Sequence, residues 1–148
     1  MKLQIKALSG KIGKEIPLPY YATAGAAAMD LHACLDAPLV IPAGGRVVVP
    51  TGLAVAIPAG HVGIVAVRSS MGVRKGITLS NAVGVIDSDY RGPLGVGLHN
   101  TTPEPYEVLP CDRIAQLMVV PVVTPEPELV EELDETGRGA GGFGSTGR

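Results

Sequence analysis

The sequence has no long apolar run, no basic excess and few aromatic residues. Its longest apolar stretch, residues 114–123, contains Gln116 and Pro121 and is too short to span a bilayer. The first ten residues lack the apolar segment of a secretory signal peptide. A formal net charge of -2 gives no basic field to meet a phosphate backbone, which argues against a general nucleic-acid binder. We therefore expect a cytoplasmic protein with no nucleic-acid and no membrane partner, although a local cluster of Arg and Lys could still bind a small anion.

Cysteine is almost absent. Cys34 and Cys111 lie far apart and neither belongs to a CxxC pair, so the sequence signals neither a zinc site nor a disulfide framework. We expect two buried or inert thiols. The three histidines, His32, His61 and His99, show no metal-ligand spacing and are expected to be structural.

Glycine and proline, by contrast, are abundant, with 20 and 13 residues. They break helices and divide the chain into short pieces, and β-branched runs lie between them. Evenly spaced strands of this kind predict one all-β domain, a β-sandwich or jelly roll. Only residues 69–75 could form a helical turn, with Ser69 or Ser70 as its N-cap. The predicted strands are residues 3–7, 39–41, 46–49, 53–57, 62–67, 95–99 and 114–120.

The pattern changes near the C-terminus. Pro125, Pro127 and an acidic run at residues 128–135 favour an extended or solvated segment, and the residues that follow have no core-forming pattern. We therefore divide the chain into a β domain, residues 1–124, and a mobile C-terminal arm, residues 125–148.

The arm contains a GxGxxG pattern at residues 139–144. No strand precedes it and no helix follows it, so a dinucleotide-binding fold is not indicated. Its glycines would let backbone N–H groups approach an anion, while Arg138, Ser145 and Thr146 add a charge and hydroxyl donors. A disordered glycine-rich terminus is the alternative. The only phenylalanine, Phe143, favours a lid that stacks on a planar ligand, because it cannot join the core unaided.

Two internal segments also carry polar groups. Residues 68–76 (RSSMGVRKG) combine a strand end, two hydroxyls and a helix start, which predicts either a phosphate cradle or a basic surface turn. Residues 81–90 (NAVGVIDSDY) place Asp87 and Asp89 two positions apart in a glycine-bounded hairpin. Such carboxylates could form an acid/base pair, half of a magnesium site, or a polar turn with Asx capping. These residues alone leave all three alternatives open.

Taken together, five segments resemble the motifs of the trimeric dUTPase family, in order and at suitable spacing along nearly the whole chain. The resemblance implies a jelly-roll homotrimer that hydrolyses dUTP to dUMP and pyrophosphate with Mg²⁺. It also implies that three subunits share each site and that the C-terminal arm reaches across to a neighbour. The segments are residues 24–31 (AGAAAMDL), 68–72 (RSSMG), 84–92 (GVIDSDYRG) with Asn81 upstream, 112–116 (DRIAQ) and 138–145 (RGAGGFGS).

The resemblance implies roles for single residues. Asp87 matches the family's general base, which orients and deprotonates a water for attack on the α-phosphorus. Tyr90 matches the aromatic residue under the deoxyribose, whose ring leaves no room for a 2′-hydroxyl. Asp30 matches a carboxylate that holds Mg²⁺ through water. The other matches are the uracil-reading hairpin (Asn81, Val85, Ile86), the phosphate ligands (Arg68, Ser69, Ser70, Gln116), the γ-phosphate clamp (Arg138, Ser145, Thr146) and the substrate-covering residues of the arm (Phe143, Gly144).

Ser70 and Cys111 depart from the family pattern, because many relatives have glycine at both positions. A dCTP deaminase would share the fold, but it needs a catalytic glutamate after the third motif, and residues 94–100 contain no carboxylate. A non-catalytic jelly-roll binding protein is the second alternative, and it would have no use for Asp87, Gln116 and an intact arm together. We therefore expect a dUTP diphosphatase.

Overall fold

The computed structural model describes residues 1–142, in which the chain forms eleven short strands and one helical turn. In this part of the chain no helix is long and apolar enough to cross a bilayer. The elements are β1 (Gln4–Ala7), β2 (Met29–His32), β3 (Leu39–Ile41), β4 (Arg46–Pro50), β5 (Leu53–Ala56), β6 (His61–Ala66), the helical turn (Ser70–Arg74), β7 (Ile77–Leu79), β8 (Gly84–Ile86), β9 (Gly95–Asn100), β10 (Tyr106–Val108) and β11 (Arg113–Pro121).

The strands form two main antiparallel sheets and two ribbons. The larger sheet has the order β2-β11-β6-β8, and the second sheet has the order β4-β9-β7. β1 pairs with β5, and β3 pairs with β10. Aliphatic side chains from both sheets pack into one core, in which Leu31, Leu98 and Leu117 are fully buried. The prediction of an all-β fold is confirmed.

All seven predicted strands are present, and their bounds differ from the predicted ones by no more than one residue at either end. Four further strands, β2, β7, β8 and β10, are not predicted by the sequence pattern. β7, β8 and β10 are three residues long, which is too short for a periodicity to be visible. β2 buries all four of its residues, including Asp30 and His32, so its polar side chains conceal a buried strand.

The predicted helical turn forms, but not through the predicted cap. Ser69 occupies the N-cap position and its side chain makes no capping hydrogen bond. The turn is held instead by the burial of Met71 and by Tyr106, whose hydroxyl lies 3.5 Å from the Met71 sulfur. Lys75 Nζ donates to the same hydroxyl at 2.9 Å and lies 5.2 Å from the ring centroid. A distant strand therefore supplies the support that the local sequence does not.

Neither cysteine is fully buried. Cys34 and Cys111 are both free and half-buried. Cys111 has φ +66°, a left-handed conformation that favours glycine. Its N–H donates to Ala33 O at 2.9 Å, which ties the turn before β11 to the end of β2. Cys111 therefore adopts the left-handed backbone conformation that glycine adopts with less strain.

The chain leaves the sheets after β11. Val122 N still donates to Gly60 O at 3.0 Å, and residues 123–140 are exposed throughout. Residues 122–142 contain no strand and no helix. The division into a β domain, residues 1–124, and a C-terminal arm, residues 125–148, stays a prediction.

Candidate active site

The first group of candidate residues surrounds Asp30 in the larger sheet. Strand register places Asp30 opposite Gln116 of β11, and Gln116 opposite Ala66 of β6. Asp30 Oδ1 lies 3.0 Å from Arg68 Nε, and Asp30 Oδ2 lies 3.4 Å from Arg113 Nη1. Asp30 is only 6% exposed. We refer to Asp30, Arg68, Arg113 and Gln116 as the Asp30 cluster.

The charges of the Asp30 cluster favour an anion. A buried carboxylate is costly without counter-charges, and here two guanidinium groups provide them. Two positive charges against one negative charge leave the cluster electropositive. The side chains of Arg68 and Arg113 are 26% and 46% exposed, so their remaining N–H donors can reach a ligand.

Ser69 and Ser70 extend this donor surface. After β6 the chain turns at Arg68, whose carbonyl accepts hydrogen bonds from Met71 N at 2.9 Å and Gly72 N at 3.0 Å. This tight turn leaves Ser69 exposed and Ser70 half-buried. The structure therefore brings together five of the sequence-predicted residues at one end of β6: Asp30, Arg68, Ser69, Ser70 and Gln116.

The second group lies on the hairpin around β8. β8 is the last strand of its sheet, so the outward backbone groups near Val85 have no neighbouring strand in the described residues. A cleft of about 110 Å³ is lined by Asn81, Gly84, Val85, Ile86 and glycines of β9. A second cleft of about 160 Å³ is lined by Val85, Ile86, Asp87, Tyr90 and Gly95. The two clefts share Val85, Ile86 and Gly95 and form one slot along the edge strand.

Residues 87–93, the Tyr90 loop, support themselves with local contacts. Tyr90 N donates to Asp87 O at 3.2 Å, and the Tyr90 hydroxyl donates to Pro93 O at 3.0 Å. Arg91 Nη1 donates to Ser88 O at 2.7 Å and to Tyr90 O at 2.8 Å. Asp87 is exposed beside the slot, and its carboxylate forms no ion pair with another described residue. It is accessible to a water and to a ligand.

The two groups lie at opposite edges of the larger sheet, because β2 and β8 are its two outermost strands. Ile86 of β8 pairs with Gly63, whereas Gln116 and Asp30 lie level with Ala66, three residues further along β6. β2 is also three strands away from β8. With strand spacings near 4.8 Å and a rise near 3.3 Å per residue, Asp30 and Asp87 are roughly 15–20 Å apart. Within one chain this separation is too large for Asp30 and Asp87 to contact the same atom of a ligand.

Two residues in this region have no predicted catalytic or binding role: Arg113 of the Asp30 cluster and its neighbour His32. Arg113 is half of an ion pair with a residue 83 positions away, a contact that sequence spacing cannot reveal. His32 is 94% buried, its ring centroid lies 6.3 Å from that of Tyr20, and its Nδ1 has no hydrogen-bond partner within residues 1–142. Burial lowers the pKa of His32, and the positive charges of Arg113 and Arg68 act in the same direction, while Asp30 opposes them. In the sequence, only the alternation of apolar and polar residues in the MDLH segment, residues 29–32, indicated that Asp30 and His32 lie on the same face of a strand.

The arm carries the last predicted residues. Arg138 is exposed, and its Nε donates to Gly141 O at 2.8 Å within a tight turn that Thr136 begins. Phe143, Gly144, Ser145 and Thr146 lie outside the described residues.

The donor set can be compared with what Mg²⁺ requires. Residues 1–142 contain no group of three or more side chains suited to hold a metal ion. Both oxygens of Asp30 face arginines, which leaves lone pairs for water rather than room for direct coordination. These residues fit an ion that keeps its water shell and is bound mainly by an anionic ligand.

The comparisons with known proteins agree in both sequence and structure. A family model described as dUTPase matches residues 14–147. A deoxyuridine 5′-triphosphate nucleotidohydrolase from Acinetobacter baumannii is 50% identical over 149 residues, which cover 100% of this chain and 99% of the relative. A relative of the same name from Coxiella burnetii is 49% identical, covering 99% of this chain and 97% of its own length.

Two solved structures with the same architecture are dUTPases of bacteriophages. A dUTPase of Staphylococcus bacteriophage 80alpha, solved with dUpNHpp, has a TM-score of 0.88 at 28% identity, with 99% of both chains covered. A dUTPase from phage phi11 of S. aureus, described with a structural Mg(II) ion, has a TM-score of 0.77 at 26% identity, covering 89% of this chain and 98% of that chain. The expected jelly-roll-like fold is thereby confirmed.

Proposed function

This chain belongs to the dUTPase family, and from that membership we propose that it hydrolyses dUTP to dUMP and pyrophosphate in sites that form between copies of the chain. The separation of Asp87 from the Asp30 cluster carries the second half of this proposal, because a complete set of residues exists only when two chains meet. A cytoplasmic location remains a prediction.

Asp87 is the proposed general base. Its exposed carboxylate accepts a proton from a water, whose oxygen attacks the α-phosphorus. The bond from the α-phosphorus to the bridging oxygen breaks, and pyrophosphate leaves with the electron pair. The residue's contribution is to position and deprotonate the water, which requires a fixed loop rather than a buried acid. The internal hydrogen bonds of the Tyr90 loop support that requirement.

Uracil fits the slot beside β8. Within residues 1–142 the outer edge of β8 pairs with no strand. It offers backbone N–H and C=O groups near Val85 and Ile86, which can pair with the polar edge of a pyrimidine much as a neighbouring strand would. Asn81 lines the same slot and adds an amide. Tyr90 lines the outer cleft, where its ring supports the deoxyribose and excludes a 2′-hydroxyl.

The phosphates are assigned to the Asp30 cluster of another copy. Arg68 and Gln116, with the hydroxyls of Ser69 and Ser70, provide the donors, and Asp30 orients Arg68 through its buried carboxylate. When bound, Mg²⁺ would neutralise phosphate charge, held by Asp30 through water and directly by the substrate. Arg138 of the arm is the proposed clamp on the γ-phosphate, together with Ser145 and Thr146, and Phe143 with Gly144 is proposed to cover the uracil.

We propose a homotrimer with an exchanged arm as the assembly. The β domain, residues 1–124, has an apolar groove of about 560 Å³ lined by Leu3, Ile5, Met29 and Val119. In the described part of the arm, Leu129 and Leu133 are exposed. An apolar groove and exposed leucines in an otherwise acidic arm are surfaces that an exchange between copies would bury together.

Substrate choice is tested by pyrophosphate release from dUTP, dTTP, UTP and dCTP, with and without Mg²⁺. We expect a preference for dUTP of several orders of magnitude and a loss of activity when the metal is chelated. Release of ammonia from dCTP, or equal turnover of all four nucleotides, would contradict the proposal.

The shared site is tested by mixing two inactive variants, Asp87→Asn and Gln116→Ala, by co-refolding. Each chain then lacks one essential residue, so a site within one chain stays inactive in every mixture. A site between chains regains activity wherever Asp87 of one copy meets Gln116 of another. A double variant, Asp87→Asn with Gln116→Ala, mixed with the single variant Asp87→Asn is the control, because no chain in that mixture contains Asp87.

A further inference from the structure

Tyr90 lies directly over the backbone of Gly92. A β-carbon added at Gly92 would lie 2.6 Å from Tyr90 Cζ and 2.9 Å from Cε2, and it would also overlap the hydroxyl oxygen. The φ angle of Gly92 lies outside the left-handed region, so its backbone would accept alanine. An alanine at this position would therefore require the Tyr90 ring to move, although the backbone conformation itself would accept it.

The ring is held from a second direction. The Tyr90 hydroxyl donates to Pro93 O at 3.0 Å, so the ring spans the backbone of Gly92 and ends on the next residue. Arg91 Nη1 bonds the carbonyls of Ser88 and Tyr90 and closes the other side of the loop. Tyr90 nevertheless remains 42% exposed, so the fixed ring still presents a surface to the cleft.

We propose that Gly92 is a specificity-determining positioning residue: by leaving room for the Tyr90 ring, it sets the height of the surface that separates deoxyribose from ribose. The inference rests on the proposed function and adds a residue that does not itself touch substrate. A side chain at residue 92 displaces the ring from its place over the Gly92 backbone. The sugar is then displaced, and the ring no longer lies where a 2′-hydroxyl would collide with it.

The test measures kcat and KM for dUTP and UTP in the full-length protein. Gly92→Ala is expected to lower the ratio of kcat/KM for dUTP over UTP by about tenfold or more, because small misplacements of a positioning group cost rates of that size. Tyr90→Phe keeps the ring but loses the bond to Pro93 O, and a loss of about threefold is expected. Gly10→Ala is the matched control, since a β-carbon there meets nothing within 4 Å; its ratio should equal that of the unmodified protein.

A double-mutant cycle shows whether Gly92 acts through Tyr90. In a Tyr90→Ala background the substitution Gly92→Ala should change the ratio no further, because the ring it displaces is gone. Additive effects, or an unchanged ratio in an active Gly92→Ala variant, would overturn the inference. If Gly92→Ala does not fold, an unchanged ratio in Tyr90→Ala overturns the inference, because the ring that Gly92 accommodates then does not separate the two sugars.

The inference and the proposed function fail in different ways. Absence of dUTP hydrolysis in the unmodified protein overturns the proposed function and this inference with it. Normal hydrolysis by the unmodified protein with an unchanged ratio in the variants overturns the inference alone. A crystal structure of Gly92→Ala gives a readout independent of activity, and a ring still bonded to Pro93 O would also refute the inference.

Discussion

The Asp30 cluster and the Tyr90 loop are built in opposite ways. Asp30 is buried, and its partners come from positions 38 and 83 residues further along the chain. The Tyr90 loop is exposed, and its hydrogen bonds join residues no more than three positions apart. The anion-binding half of the proposed site therefore depends on the whole fold, whereas the half that carries the general base depends on its local sequence. Substitutions in the cluster should cost stability as well as activity, and substitutions in the loop should cost activity alone.

The variant Asp87→Asn is expected to show the largest effect, a loss of activity without a loss of stability. We expect kcat to fall about 10²–10⁴-fold, since the amide cannot accept the proton of the attacking water. The free energy of unfolding should stay unchanged, because Asp87 is exposed and makes no ion pair within the described residues. Pyrophosphate release and urea unfolding are the two measurements. Asp89→Asn, also exposed and two positions away, is the control and should keep near-normal turnover; a near-normal kcat in Asp87→Asn would refute the general-base role.

Asp30→Asn should produce a loss of stability that the loop variants lack. Removing the carboxylate leaves Arg68 and Arg113 without their counter-charge, and we expect unfolding to become about 2–3 kcal/mol easier. That figure is below the loss for a fully buried pair because both arginines reach solvent. Urea denaturation with Asp36→Asn as the control measures it. The control aspartate is exposed and pairs with Lys11, so its loss should hardly move the urea midpoint. Equal shifts in the two variants would show that the buried carboxylate of Asp30 stabilises the protein no more than an exposed one.

Cys111→Gly should raise the free energy of unfolding by about 1 kcal/mol, because glycine relieves the left-handed strain at φ +66° in the turn before β11. Cys111→Ala separates strain from the thiol, since alanine keeps the strain and loses only the contact from the thiol to Glu15 O at 3.5 Å. Thermal unfolding of the three proteins gives the order. Stability that is no higher in the glycine variant than in the alanine variant would show that strain at residue 111 is unimportant.

The smallest expected effect concerns pH. Burial holds the pKa of His32 below its usual value of 6.5, so the unfolded chain binds more protons than the folded chain just below that pH. Above about pH 6.5 the His32 ring is mostly neutral in the folded and in the unfolded chain, and its contribution to the free energy of unfolding is complete. As the pH falls toward the folded pKa, the unfolded chain takes up the proton first and the free energy of unfolding decreases. His32→Phe keeps a ring against Tyr20 and should flatten this acid limb in unfolding measurements between pH 7.5 and 5.5. Parallel curves for the two proteins would exclude His32 as the cause.

The sequence predicted the parts of the fold that local chemistry determines. The runs around Val47, Val55 and Ile64 gave strands to within one residue, since β-branched segments bounded by glycine and proline rarely form anything else. β2 was missed because Asp30 and His32 look like surface residues until the arginines and Tyr20 that bury them are known.

Motif order indicated Arg68, Asp87 and Gln116 as site residues, and their roles stay predictions; their spatial arrangement could not be predicted from the sequence. The distance between Asp87 and the Asp30 cluster depends on which strands pair, and no local pattern encodes that order. Arg113 and Gly92 lie in the quoted motifs without a predicted role. The partner of Arg113 is 83 residues away, and the contact of Gly92 with the Tyr90 ring depends on the conformation of the loop.

The separation of roughly 15–20 Å between Asp30 and Asp87 also has a consequence for how activity responds to protein concentration. If each site needs two or more chains, an isolated chain is inert, and specific activity falls on dilution below the concentration at which the chains assemble. Catalysis then reports assembly directly: a newly made or damaged copy that cannot join its partners contributes no turnover, even with every site residue intact.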